Sequence, residues 1–141
     1  MHTRSKGIDF DDLQMAHDYG AVRAYADTKL ANVYFTRGLA VRWPEVVSYA
    51  VHPGGVRTEL GGGGELRGPA GWGWWLVSRL MRSPGSGAGP VVRLASEAVG
   101  AASGAYFDRF EERTLEGVAA DDGSVGRLWE VSGELVGDLR L

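Results

Sequence analysis

The chain has 141 residues, 44% of them hydrophobic and 23% charged, which suits one globular domain and excludes a disordered chain. Its net charge is -3 and its 15 Lys and Arg are scattered, so nucleic acid is not expected as a partner, because phosphate binding wants a basic face. With no cysteine, disulfides, thiolate metal sites and a cysteine nucleophile are excluded, and no apolar run nears the ~20 residues that span a bilayer.

Met1 to Asp12 is polar, without the apolar core of a signal peptide, and a cytoplasmic location is expected. The first twenty residues read as irregular. From Ala21 to Arg42 there is no Pro and one Gly. Ala26, Leu30, Val33 and Arg37 fall on one helical stripe there, and Tyr25, Lys29, Asn32 and Thr36 on a neighbouring one. Trp43-Pro44 ends this predicted helix, since Pro disfavours a helical residue before it. Val46 to Val51 is a short apolar run, rich in β-branched residues, that reads as a buried strand. His52-Pro53-Gly54-Gly55 stops it abruptly.

Leu60 to Gly71 is a Gly-rich loop, and Trp72 to Arg82 reads as a short helix. Gly89 to Val99 reads as another helix, with a start as early as Pro84 allowed. Gly104 to Phe110 reads as a short strand and Ser124 to Val136 as a terminal helix, with Asp121-Asp122-Gly123 as its turn and N-cap. Glu111, Glu112 and Arg113 read as solvated surface. Strands separated by helices imply a parallel, doubly wound α/β arrangement. Only two strands are visible, so the pattern reads as the edge of a larger sheet.

Two elements carry chemistry. Tyr25 and Lys29, four apart on the first helix, project from one face. An ammonium beside a phenol favours the phenolate, and a Tyr so tuned can exchange a proton with a hydroxyl or carbonyl. Taken alone, such a pair is also what a solvated helix face shows. The second element is Val51-His52-Pro53-Gly54-Gly55-Val56-Arg57-Thr58, directly after a predicted strand, where open α/β sheets bind ligands. Its glycines let backbone approach a ligand closely, Val56 offers backbone groups and Thr58 a hydroxyl. Taken alone, it is equally an ordinary turn. His2, His17 and His52 have no ligand-like spacing, so no metal is expected.

Together the two elements are far more specific. The run A-Y-A-D-T-K-L-A-N-V-Y-F-T-R-G-L-A (residues 24–40) resembles the active-site helix of short-chain dehydrogenases/reductases, above all the retinol-dehydrogenase-like members. V-H-P-G-G-V-R-T-E-L follows at the spacing these members show. Upstream G-I-D-F-D-D-L-Q, and downstream S-G-A-Y-F and R-L-W-E-V-S-G-E-L, resemble their flanking segments, so the likeness covers nearly the whole chain in the right order.

The resemblance implies an oxidoreductase that moves a hydride between an alcohol and a carbonyl with NAD or NADP. Tyr25 would be the general acid/base, and Lys29 would assist it and hold the nicotinamide ribose. Pro53, Gly54, Val56 and Thr58, with Tyr25 and Lys29, would line the cofactor. The active-site helix would span about 21–42, and a substrate loop and helix about 60–82. The three Trp residues there suit a small apolar substrate or, equally, packing. The implied fold is the C-terminal portion of a Rossmann-type, doubly wound parallel sheet. No Gly-rich strand–turn–helix stands here for the dinucleotide, and the family's substrate-orienting Ser has no counterpart, since Ser5 does not align with it. The expectation is therefore a module completed by an N-terminal half and inactive alone, with a non-catalytic remnant or interaction module as the alternative. Whether it pairs with a second copy of itself, and the choice between NAD and NADP, are not legible here.

Overall fold

The computed structural model describes residues 5–54 and 84–137. Three helices are present there: α1 (Ala21–Arg42), α2 (Pro84–Ser96) and α3 (Asp122–Val136). Three short strands, β1 (Ala50–His52), β2 (Tyr106–Asp108) and β3 (Glu111–Arg113), form one sheet in the order β1-β2-β3, and a 3-10 turn covers Gly117–Ala120. The contacts sort the chain into two compact units. One holds residues 1–50, 101–106 and 112–141, the other 51–100 and 107–111.

α1 keeps the bounds its periodicity predicts. Trp43 closes it, its N–H bonded to the Leu39 carbonyl at 2.9 Å, and Pro44 follows. The apolar stripe faces inward: Ala26, Leu30, Val33 and Tyr34 are buried, while Tyr25 and Asn32 of the neighbouring stripe are exposed. The core of the first unit packs Leu30 and Tyr34 of α1 against Ala119 of the 3-10 turn and Val125 of α3, with Ile8, Leu115 and Leu128 around them. Burial of a side chain such as Leu30 is worth ~1.5–3 kcal/mol, so these few residues carry much of the unit's stability.

Polar contacts hold the same faces together. The Tyr34 hydroxyl donates to the Val118 carbonyl. Arg37, last on the predicted stripe, does not join the apolar core. Its guanidinium reaches the Ala119 carbonyl at 2.7 Å, the Ala120 carbonyl at 3.2 Å and the Asp122 carboxylate at 2.5 Å. It satisfies carbonyls at the end of the 3-10 turn and ties α1 to the start of α3. Asp121 caps α3 as expected, accepting the N–H groups of Gly123 at 3.3 Å and Ser124 at 3.0 Å. The indole of Trp129 stacks on Phe35 at 5.2 Å between centroids and meets Trp43 edge-on at 5.4 Å, with the Arg42 guanidinium 4.6 Å over its ring.

The sheet departs from the sequence reading in three ways. The strand expected at 46–51 is Ala50–His52. Val46 and Val47 are exposed, because the chain turns after Pro44 with the Val46 N–H on the Trp43 carbonyl at 2.9 Å. The Ser48 hydroxyl then donates to the Thr36 carbonyl at 3.0 Å, and the Gly104 N–H donates to the Ser48 carbonyl at 2.8 Å, where cross-strand pairing starts. The strand expected at 104–110 is Tyr106–Asp108, and Glu111, Glu112 and Arg113, exposed as expected, also form a third strand. Arg109 and Phe110 form the connection, with Arg109 at φ 60. The Ala50 N–H donates to the Ala105 carbonyl and the Arg109 N–H to the His52 carbonyl, so β1 and β2 run parallel. A two-residue connection makes β3 antiparallel to β2. The sheet is therefore mixed, in a small α/β fold.

In the second unit, α2 begins at Pro84, the earliest start the sequence allows. Arg93 of α2 pairs with Glu97 at 3.2 Å, donates to the Phe110 carbonyl at 3.3 Å and lies over the Phe110 ring. The predicted substrate loop and helix at about 60–82, with Val56 and Thr58, lie outside the described residues.

Candidate functional site

Tyr25 and Lys29 stand one turn apart near the start of α1. Gly20 precedes this helix in an extended conformation, and the first turn carries no acidic residue. The Lys29 ammonium lies over the Tyr25 ring, 5.3 Å from its centroid. An ammonium over an aromatic face is held by ~0.5–1 kcal/mol where water has access, enough to bias the lysine toward the tyrosine. Tyr25 is 39% exposed, so its ring is open to a ligand. Thr28, between them, turns its hydroxyl back onto the Tyr25 carbonyl at 2.9 Å and offers nothing to the face the pair presents. The structure thus brings together the two residues that spacing alone put on one face.

On another face of the same turns lies a group that the sequence did not signal. Asp27 is buried and accepts the hydroxyl of Ser5, also buried. The Ser5 oxygen accepts the Gly7 N–H at 3.1 Å, and the Arg23 Nε stands 3.5 Å from the second Asp27 oxygen. A buried carboxylate needs such partners. The group fastens the irregular N-terminal segment to α1, and Ser5 is spent on that bond. No periodicity marks Asp27 as buried, since it follows Ala26 within a polar stretch.

A cleft of about 320 Å³ opens in the first unit, with Ile8, Leu13, Tyr19, Thr28, Ala31 and Leu128 among its walls. Tyr25 and Lys29 are not part of its lining. Asp12 lies along it, but its carboxylate already accepts the N–H groups of Ala16 at 2.8 Å and His17 at 3.1 Å, which hold it below the usual carboxylate range.

The second predicted element belongs to the second unit. β1 ends at His52, and Pro53 and Gly54 follow it. Gly54 has φ 86, a left-handed conformation that a side chain would strain. Its N–H donates to His52 Nδ1 at 3.1 Å, and the same nitrogen stands 3.6 Å from the Asp108 carboxylate of β2. Among the described residues, no helix is long and apolar enough to cross a membrane.

No protein-family model matches the chain, and no solved structure matches it significantly. Curated relatives do. The chain is 35% identical to human retinol dehydrogenase 11 over 133 residues, covering 92% of this chain and 41% of that protein. It is 38% identical to human retinol dehydrogenase 13 over 140 residues, again 92% of this chain and 41% of the relative. Human dehydrogenase/reductase SDR family member 13 is 41% identical over 123 residues, 82% of this chain and 32% of that protein. The chain thus spans well under half the length of these relatives. Such identity along nearly all of the chain, to proteins named as dehydrogenases and reductases of one kind, means that it belongs to the short-chain dehydrogenase/reductase family.

Proposed function

We propose that this chain is the catalytic-tyrosine portion of an NAD(P)-dependent oxidoreductase that interconverts an alcohol and a carbonyl. The observation that carries the reading is the Lys29 ammonium 5.3 Å over the ring of an open Tyr25, on one helix of a chain whose relatives are named dehydrogenases and reductases. In this reading the fold is the C-terminal portion of a doubly wound, Rossmann-type sheet, and the setting is cytoplasmic. Completion by an N-terminal half is part of the proposal, because hydride transfer needs the dinucleotide held against the substrate.

Tyr25 acts as general acid/base. In the direction of reduction its hydroxyl gives a proton to the carbonyl oxygen, and in oxidation it takes the proton from the alcohol. Lys29, one turn on with its ammonium over the Tyr25 ring, assists this proton transfer and helps hold the nicotinamide ribose. Lys29, Tyr25, Pro53, Gly54, Val56 and Thr58 are the residues proposed to hold the dinucleotide, Gly54 through its backbone. The bound nicotinamide supplies or accepts the hydride. The substrate class is a small apolar alcohol or carbonyl compound, as the name retinol dehydrogenase indicates for two relatives.

A second reading, a non-catalytic interaction module, is favoured by the exposed apolar side chains Val22, Phe35 and Val41 along α1. Fluorescence titration of the purified chain with NADH and NADPH, with circular dichroism in parallel, separates the two. Saturable binding that weakens in Lys29→Ala supports the enzyme reading. A folded chain that binds neither dinucleotide, even when complemented by an N-terminal half of a relative, supports the interaction module.

A further inference from the structure

His52 has no role in the chemistry above, yet its ring makes a specific bond. Nδ1 stands between a donor and an acceptor, the Gly54 N–H at 3.1 Å and the Asp108 carboxylate at 3.6 Å. Only the first distance is that of a hydrogen bond. An N–H needs a lone pair to donate to, so the Gly54 bond requires Nδ1 to be the bare nitrogen and Nε2 to carry the hydrogen. The bond spans residues i and i+2, the closure that Asn and Asp side chains make in an Asx turn. Pro53 has no N–H to contribute and a fixed φ, so Gly54 is the first residue after the strand that can close the turn. The backbone of His52 is itself held by the sheet: its carbonyl accepts the Arg109 N–H at 2.8 Å. The sheet therefore sets the conformation of this residue, and the side chain transmits that order to the turn.

We propose that His52 is a positioning residue, whose bare Nδ1 accepts the Gly54 N–H and fixes the Pro53–Gly54 turn in its left-handed form. Its consequence for catalysis rests on the function proposed above: the turn so fixed presents backbone to the dinucleotide, and His52 acts on the cofactor only through Gly54. Side-chain geometry then dictates which replacements serve. Asn carries its amide oxygen where the imidazole carries Nδ1, and closes the same turn. Gln sets its oxygen one bond further out, and Ala has none.

The test is nuclear magnetic resonance of the full 141-residue chain without cofactor, in the wild type and in His52→Asn, His52→Gln and His52→Ala. Nitrogen shifts report the tautomer of His52, and amide exchange reports Gly54. The expected result is the Nε2–H tautomer in the wild type, Gly54 exchange faster by about 5-fold in His52→Ala and His52→Gln, and near wild-type exchange in His52→Asn. An Nδ1–H tautomer, or Gly54 exchange unchanged in His52→Ala, overturns the proposal. Equal loss in all three variants also overturns it, because a merely structural role for the ring predicts no rescue by Asn. These signals are read without dinucleotide. A chain that binds no cofactor therefore counts against the cofactor reading alone, while the His52–Gly54 bond stands or falls on its own resonances.

Discussion

Gly38 of α1 lies so close beneath Trp129 of α3 that a Cβ at position 38 would meet the indole Cε3 at 3.0 Å. In a helix interior Gly costs about 1 kcal/mol relative to Ala, so Gly38→Ala would stabilise a free helix. Here the indole is flanked by Phe35 stacked on it, Trp43 at its edge and Arg42 over its ring. Overpacking of this kind costs ~1–3 kcal/mol and outweighs the helix gain. Gly38→Ala is expected to lower the urea midpoint, and Trp129→Leu combined with it to restore part of the loss. A raised midpoint in Gly38→Ala alone would mean that the indole yields and the helix gain wins.

Tyr34 gives a prediction at alkaline pH. Burial pushes its phenol above the ordinary value, since the ionised form loses water. The folded state then holds the proton more tightly than the unfolded chain does. This contribution is fully present below about pH 10 and is lost as pH rises through the raised value. Tyr34→Phe leaves the Val118 carbonyl without its donor and is expected to cost ~1–2 kcal/mol near neutrality. It should also flatten the alkaline limb of stability against pH. Parallel limbs in the two proteins would show that the phenol does not titrate with unfolding.

Asp121 gives the opposite sign at acid pH. The Ser124 hydroxyl, and the N–H groups of Ser124 and Gly123, hold its carboxyl below the ordinary value of 3.8. The lowered value means that its contribution is present above about pH 3.8 and is lost as pH falls through the folded value. Asp121→Asn keeps an N-cap acceptor but removes the charge, so the helix should persist while the acid limb becomes shallower. Asp121→Ala should weaken α3 at every pH, read as lost helical circular dichroism on mild heating.

Tyr25 separates fold from function. It is exposed and outside the core, so Tyr25→Phe is expected to leave stability within about 0.5 kcal/mol. In the chain complemented by an N-terminal half, the same change should lower kcat for carbonyl reduction by ~10²–10⁴-fold. Retained turnover in Tyr25→Phe would remove this residue from the proposed chemistry.

Much of this is legible in the sequence where the signal is local. The bounds of α1 follow from its period and from Trp43-Pro44. The N-cap at Asp121 follows from its turn residues, and the facing of Tyr25 and Lys29 from their spacing. β3 is not legible, because Glu111-Glu112-Arg113 has no alternation and Arg109 adopts at φ 60 a conformation usually left to Gly or Asn. Its pairing comes from the hairpin, not from side-chain pattern. A helical period places Arg37 on the apolar stripe, but it says nothing of carbonyl partners more than eighty positions away. The Ser5–Asp27 bond spans 22 positions and is hidden for the same reason.

The bond from Tyr34 to Val118 joins residues 84 positions apart, and Leu30 has its buried neighbours Ala119 and Val125 in the same distant stretch. A ribosome making this chain therefore releases α1 long before its partners exist. While the stretch between them is being made, the helix bearing Tyr25 and Lys29 has a bare oily stripe, and it finds its shelter only when Val118, Ala119 and Val125 have emerged. A stop codon shortly before Ala119 would thus spare both catalytic candidates and still leave them on a helix with nothing to lean on. Chains cut short before Ala119 should be material that chaperones retain and proteases clear.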